Sequence, residues 1–359
     1  MKQDLIYMAR ALQLARQGLY TTDPNPRVGC VLVKDGEIIG EGWHQRAGLS
    51  HAEVEALNNA PDAQGATAYV TLEPCSHFGR TPPCCDALIN AGISRVVVAM
   101  QDPNPLVAGQ GLQRLRAAGI DVVCGVLEQD AQLLNQGFIK RMTQQRPWVR
   151  SKLAMSLDGR TAMASGESKW ITSAQARADV QRLRAESSAI LTGINTVLAD
   201  DPALTARVDE DVVQPLRVVL DSRLAMPVDA QLVNVPGRTL ILTSSTDDDK
   251  KQALQQAGFE IYVIPEHQGR LDLRQVMTFL AEQQINEVLV EAGPTLNGAL
   301  LAENLVDEWV IYMAPCVLGD QGRGLFTLPN MNTMADKKNL NLADVRQVGP
   351  DLKLTFTAN

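Results

Sequence analysis

The chain has 359 residues, 45% of them apolar and 21% charged, with a formal net charge of −8. That length exceeds what one hydrophobic core ordinarily serves, so two domains are expected. No apolar run approaches the roughly 20 residues of a membrane-spanning helix, and the negative charge disfavours a nucleic-acid partner, whose phosphates it would repel.

The first stretch, MKQDLIYMARALQLARQGLY, mixes acid with base and lacks the continuous apolar core of a signal peptide, so it reads as the first helix. Six cysteines (Cys30, Cys75, Cys84, Cys85, Cys124, Cys316) without a secretory signal argue against a disulfide framework. A cytoplasmic location is expected. VGCVLVKDGEIIGEGW reads as a hairpin turning at Asp35-Gly36. HAEVEALNNA is helical, ATAYVTL is a strand, and a helix opens at about Cys84. The strand RVVVAM, the helix GLQRLRAAG and the strand DVVCGV follow, then one last helix through DAQLLNQGFIKRM. Cys30 and Cys124 fall in strand patterns and are expected to be core thiols. This alternation predicts a layered α/β domain with a mixed sheet.

The polar TQQRPWV, broken by Pro147, marks a boundary and gives domains 1–146 and 147–359. A second α/β pattern follows, with strands WVRSKLAM, AILTG, LRVVLD, RTLILT, EIYVIP and EVLVEAG. Helical segments such as SAQARADVQRLRAE lie between them.

SHAEVEAL poses the first chemical question. Ser50 capping a helix with Glu53 reaching back would be a capping box. Alternatively His51 ligates a metal and Glu53 moves protons beside it, as in the zinc-deaminase pattern H-x-E followed by P-C-x-x-C. Pro74-Cys75 supplies the second half, but Phe78 stands where the second cysteine belongs, and the next thiols are Cys84 and Cys85. Catalytic zinc takes three protein ligands and keeps one position for water, and His51, Cys75 and Cys84 provide three. Zinc lowers the pKa of that water from 15.7 to about 7. Glu53 can then carry its proton to a leaving amine. Cys85 competes with Cys84 as ligand, and His77 as a fourth ligand would close the site and make it structural.

The second half has neither a G-x-G-x-x-G turn nor a G-x4-G-K-[ST] loop. EAGPTLNGALL places a Gly-Pro turn before a helix, whose N-terminus suits phosphate. LTGINTVLADDPALTAR carries Thr196 behind a strand and a solvated turn at Asp200-Asp201-Pro202. Lys152 sits mid-strand in an apolar setting, where lysine is rarely buried without a task.

TTDPNPRVGCVLV, GEGWHQRAGLSHAEVEAL and TLEPCSHFGRTPPCCDALI, with their C-x8-C spacing, resemble the deaminase half of the bifunctional riboflavin-biosynthesis deaminase-reductases. KLAMSLDGRTA, SGESKWITS, LTGINTVLADDPALTAR and VEAGPTLNGALL resemble the reductase half, and the matches run in order over nearly the whole chain. The resemblance implies a cytidine-deaminase-like three-layer α/β/α domain followed by a dihydrofolate-reductase-like α/β domain. It implies zinc on His51, Cys75 and Cys84, proton transfer by Glu53, and contact of Asn25, His44 and His77 with the pyrimidine, with Arg80 on the phosphate. It implies NADPH against Ala154, Trp170, Thr196, Asp200, Ser222 and the turn Gly293, Pro294, Thr295, Leu296, Asn297, Gly298 and Ala299. Ser168, Arg184, Leu204, Arg207 and Glu291 would meet the ribotide, and Lys152 would stabilise charge on the ribose oxygen. The implied reactions are hydrolytic removal of an amine from a diaminopyrimidinone ribotide, then reduction of its ribosyl group to ribityl. A small-molecule substrate, no nucleic acid, no membrane and a homo-oligomer (dimer or tetramer) are expected. Two rivals make different demands: an RNA-base deaminase needs a basic, aromatic-rich surface, and a structural zinc protein needs four protein ligands.

Overall fold

The computed structural model describes residues 2–77, 82–329 and 331–358. It divides into two compact units, Met1–Arg146 and Pro147–Asn359.

The first unit runs α1 (Lys2–Ala15), β1 (Gly29–Lys34), β2 (Glu37–Trp43), α2 (Ala52–Asn58), β3 (Thr67–Val70) and α3 (Cys84–Asn90). It continues with β4 (Arg95–Val98), α4 (Gln110–Ala117), β5 (Asp121–Cys124), α5 (Glu128–Leu134) and α6 (Gln136–Gln144). The strands order as β2-β1-β3-β4-β5. β1 pairs antiparallel with β2 and β3, while β3, β4 and β5 are parallel. The period of two along β1 sends Cys30 and Leu32 to one face and Val31 and Val33 to the other. Ala52, Leu88 and Leu115, from α2, α3 and α4, cover the first face; Met8, Leu12 and Ala131, from α1 and α5, cover the second. The result is a three-layer α/β/α arrangement around a mixed sheet. Helix α2 lies directly on β2 because Gly42 has no side chain: a Cβ there would stand 2.5 Å from the Ala52 carbonyl oxygen.

Two expectations fail in this unit. The last helix is two helices, broken at Asn135, whose buried amide accepts from Arg27 N at 2.8 Å and donates to Arg27 O at 3.0 Å. That side chain–backbone pairing outweighs continuation of the helix through Asn135, a residue that competes readily for backbone partners. Cys124 is exposed rather than a core thiol, because β5 is the outermost strand of the sheet. Cys30 is buried.

In chain order, the second unit opens with β6 (Trp148–Ser156), β7 (Arg160–Ala162), α7 (Ala174–Glu186), β8 (Ala189–Gly193), α8 (Ile194–Asp200) and β9 (Leu216–Leu220). Next come β10 (Thr239–Thr243), α9 (Asp248–Gln256), β11 (Glu260–Val263), β12 (Glu266–His267), β13 (Arg270–Leu271) and α10 (Leu273–Glu282). It closes with β14 (Glu287–Val290), α11 (Pro294–Ala302), β15 (Glu308–Ala314), β16 (Arg323–Gly324), β17 (Leu340–Val348) and β18 (Asp351–Ala358). Nine strands form one sheet ordered β11-β10-β9-β8-β14-β6-β15-β18-β17. The run from β11 to β15 is parallel, and β18 and β17 add antiparallel at the end. The six strands expected from sequence are all present. The sequence reading passes over β15 and the β17–β18 hairpin. LNLADVRQV in β17 is mostly exposed, so it carries little apolar signal. Among the described residues no helix is long and apolar enough to cross a membrane.

Asp4 of α1 accepts from Arg95 Nη1 at 2.7 Å and from Tyr69 Oη at 3.0 Å. The Arg95 hydrogen bond holds its carboxyl down at about 2. A depressed folded-state pKa adds stability that is complete above the unfolded value near 3.9 and lost as pH falls through about 2. Asp4→Asn should therefore flatten the fall in the urea midpoint of this unit between about pH 4 and pH 2. An unchanged acid limb would show that the pair carries no linkage.

Candidate active site

Helix α2 begins at Ala52, with His51 as its N-cap in extended backbone and no side-chain capping bond. Ser50 is thus not the cap, and the capping box does not form. The Ser50 carbonyl accepts from His44 Nδ1 at 3.1 Å instead. His51 is left free to turn its ring elsewhere: His51 Nδ1 stands 3.1 Å from Cys84 Sγ and 3.6 Å from Cys75 Sγ. All three donor atoms lie within 4.8 Å of one another. A tetrahedral zinc site with Zn–S about 2.3 Å and Zn–N about 2.0 Å has ligand–ligand edges of about 3.5 Å. The three residues fit such an ion. Cys85 Sγ points away from it, donating to Pro74 O at 3.2 Å and to Gly111 O at 3.6 Å. His77 is exposed and outside the group. Arg80 lies outside the described residues.

Glu53 is buried beside these ligands. Burial lifts its carboxyl to about 7, and the nearby Cys75 adds to the rise. A group poised near neutrality is matched to proton transfer at physiological pH. The two thiols share a proton: hydrogen bonding from Cys84 holds Cys75 low, and Cys84 is raised correspondingly. A metal that displaces that proton makes thiolates of both. His44 completes the wall, its ring edge-on to His51 with centroids 5.3 Å apart. Because the Ser50 carbonyl can only accept, His44 carries its proton on Nδ1, and Nε2 accepts from Asn25 Nδ2 at 2.9 Å. Asn25 Oδ1 is left as a hydrogen-bond acceptor.

Sequence reasoning missed Glu73. This buried carboxylate accepts from four backbone N–H groups: Gly111 and Leu112 on Oε1 at 2.8 and 3.3 Å, Gly109 and Asp102 on Oε2 at 2.9 and 3.1 Å. It pins the start of α4 against the loop that carries Cys75. The available signal was an acid next to Pro74-Cys75, in a strand-end position where carboxylates are rarely buried unpaired.

In the second unit two of the expected ribotide residues, Arg184 and Glu291, form one ion pair, and the charge of Arg207 bears on it. Arg184 donates to Glu291 through Nε at 2.6 Å and Nη2 at 3.0 Å, and through Nη1 to Thr205 O at 3.0 Å. Burial pushes the Lys152 ammonium down against the pull of Glu291. Burial also raises Glu291, but Arg184, Lys152 and Arg207 outweigh it and keep the carboxyl below its ordinary range. Leu204 is buried in a turn with φ of 47°. Ser168 lies on the segment before α7 and is not tied to this cluster by any hydrogen bond among the described residues.

The expected cofactor residues line the carboxyl ends of neighbouring parallel strands, the edge where open α/β sheets bind ligands. Ala154 is in β6, Thr196 and Asp200 are in α8 behind β8, Ser222 follows β9, and Gly293 caps α11 behind β14. Asp200 pairs with Lys169 at 3.0 Å, and the exposed Trp170 ring lies 4.5 Å beneath the Arg177 guanidinium. Asn297 and Gly298, in contrast, are buried inside the turn.

Residues 1–100 match the family described as the cytidine and deoxycytidylate deaminase zinc-binding region, and residues 147–354 match the RibD C-terminal domain. The riboflavin biosynthesis protein RibD of Escherichia coli is 56% identical, with 98% of each chain covered. The Haemophilus influenzae protein of the same name is 50% identical, over 99% of this chain and 97% of that one. Among solved structures, Acinetobacter baumannii RibD superposes with a TM-score of 0.93 at 48% identity, covering 100% of this chain and 99% of that one. A Thermotoga maritima diaminohydroxyphosphoribosylaminopyrimidine deaminase/5-amino-6-(5-phosphoribosylamino)uracil reductase superposes at 0.88 with 33% identity and the same coverage.

The direction of the two adjacent thiols sets a test. Cys84→Ser should lose the bound zinc, and Cys85→Ser should keep it, as read by metal analysis of the purified proteins. Retention by the first variant and loss by the second would reverse the ligand assignment.

Proposed function

The chain belongs to the RibD family of bifunctional riboflavin-biosynthesis deaminase-reductases, and we propose that each reaction has its own unit, with zinc on His51, Cys75 and Cys84 in the first and NADPH beside Lys152 in the second. The observation that carries this reading is the meeting of three donors within 4.8 Å of one another beside the buried Glu53 carboxyl. The substrate pair is the one in the Thermotoga relative's name: a diaminopyrimidinone ribotide, then the deaminated aminouracil ribotide.

When bound, zinc makes water acidic enough to attack at neutral pH. The Glu53 carboxyl is placed to take a proton from the attacking water and to deliver it to the exocyclic nitrogen, which would leave as ammonia. Asn25 Oδ1 and His77 orient the pyrimidine, His44 holds Asn25, and Arg80 meets the phosphate, for which a guanidinium has the matching geometry. In the second unit, bound NADPH would supply a hydride for the anomeric carbon of the ribosyl group, whose bond to the ring oxygen breaks as the hydride arrives. Lys152 is placed to stabilise the charge left on that ring oxygen when it takes the bond's electron pair, a role that works best where water is excluded. The Arg184–Glu291 pair, with Ser168, Leu204 and Arg207, positions the ribotide. Ala154, Trp170, Thr196, Asp200, Ser222, Gly293, Pro294, Thr295, Leu296 and Ala299 receive the cofactor, with Asn297 and Gly298 buried behind them. A cytoplasmic homo-oligomer, dimer or tetramer, is the proposed setting; the unpaired thiols suit a reducing compartment.

Two substitutions separate the sites. Glu53→Gln should lower ammonia release by about 10²–10⁴-fold while zinc content and NADPH oxidation on the deaminated ribotide persist. Undiminished ammonia release would remove Glu53 from the chemistry. Lys152→Met should show the opposite split, with reduction slowed by about 10²-fold or more and ammonia release unchanged. Equal rates in that variant and the parent enzyme would deny Lys152 its role.

A further inference from the structure

The turn between β14 and α11 is held by side chains that face away from solvent. Thr192 Oγ1, from β8, donates to Glu291 O at 2.7 Å. Asn297 Nδ2 donates to Ala292 O at 2.7 Å and to Gly293 O at 3.2 Å. Ser151 Oγ, from β6, donates to Asn297 Oδ1 at 2.6 Å, so the amide presents its nitrogen to the two carbonyls. Thr192, Asn297 and Ser151 are all fully buried. The far side of α11 is closed as well. Thr327 N donates to Pro294 O at 3.0 Å, and a Cβ on Gly298 would stand 2.1 Å from Thr327 O. Glycine at 298 is therefore required by packing, and the Asn297 side chain is fully used inside the protein.

Three successive carbonyls are thus tied inward. A trans peptide is planar, so the N–H of each following residue points opposite to the carbonyl before it. Glu291 O is tied toward β8, which turns the Ala292 N–H to the β6 side, and Ala292 O is tied to Asn297, which turns the Gly293 N–H away from that amide. Neither of these donates a hydrogen bond among the described residues. Pro294 has no N–H, and the next two, on Thr295 and Leu296, have no acceptor within the first helical turn. Four backbone donors at this turn are then left for a ligand.

We infer that Ser151, Thr192 and Asn297 are positioning residues that set this row of N–H groups for the cofactor diphosphate, touching the carbonyls and not the cofactor. The inference rests on the reading that NADPH binds at this strand edge. Asn297 accordingly acts from inside the turn, where the family resemblance alone would count it a contact. The amide network preorganises the donors, so the cofactor does not have to order them on binding.

The test is NADPH binding to the full-length enzyme, followed by cofactor fluorescence, with ammonia release as an internal control. Thr192→Val removes the hydroxyl, and Thr192→Ser keeps it. Ser151→Ala frees the Asn297 amide to turn. Losing one buried hydrogen bond should raise Kd for NADPH about five- to tenfold in Thr192→Val and Ser151→Ala. Thr192→Ser should stay within about twofold of the parent. In the weakened variants KM for NADPH should rise with Kd, while the ribotide KM and ammonia release stay unchanged. If the parent binds NADPH and Thr192→Val and Ser151→Ala bind it equally well, the positioning role is overturned. It is also overturned if Thr192→Ser weakens binding as much as Thr192→Val does, since the hydroxyl would then not be what matters. If the parent itself fails to bind NADPH, the underlying cofactor reading falls instead.

Discussion

Three donor atoms from three separate elements must meet within hydrogen-bonding distance before a metal can bind, and the first unit is arranged around that meeting. His51 stands just before α2, Cys75 follows β3, and Cys84 opens α3. None of these elements would hold its donor in place alone. Gly42 lets α2 lie against β2, and the Glu73 carboxylate fastens the Cys75 loop to the start of α4 through four N–H groups. Burying a carboxylate is costly unless its oxygens are fully hydrogen-bonded, and here they are. The same burial raises the Glu53 carboxyl, so one packing arrangement both gathers the three donors and tunes the acid beside them.

The second unit reaches a comparable end with different parts. Its parallel strands deliver loops to one edge of the sheet, and polar side chains inside the sheet orient those loops. Thr192 and Ser151 sit on strands that flank β14, so the turn after β14 is held from both sides. Glu291, one residue before that turn, also carries the ion pair with Arg184. The turn after β14 and the charged cluster therefore share a short piece of backbone.

Much of this was legible in the sequence because it is local. Asp35-Gly36 gives its hairpin directly, with φ of 53° and 84°. The buried central strands are uninterrupted apolar runs, as parallel sheets require. His51, Cys75 and Cys84 were identifiable because zinc chemistry restricts ligand type and number. What escaped was set by tertiary contacts. SHAEVEAL satisfies the capping-box pattern, yet α2 starts one residue later with His51 as its N-cap, its ring drawn to Cys75 and Cys84. The helix break at Asn135 depends on Arg27, 108 residues away. Cys124 is exposed because no strand lies beyond β5, a fact of sheet order that its own strand does not encode. Glu73, Ser151 and Thr192 look ordinary until their long-range partners are known.

The most direct measurement is X-ray absorption at the zinc edge of the purified full-length protein. The expected first shell is two sulfurs at about 2.3 Å, one imidazole nitrogen at about 2.0 Å and one further light atom from water. A third sulfur would bring Cys85 into the site, and a second imidazole would bring in His77. Either result would close the fourth position and contradict a catalytic metal held by His51, Cys75 and Cys84.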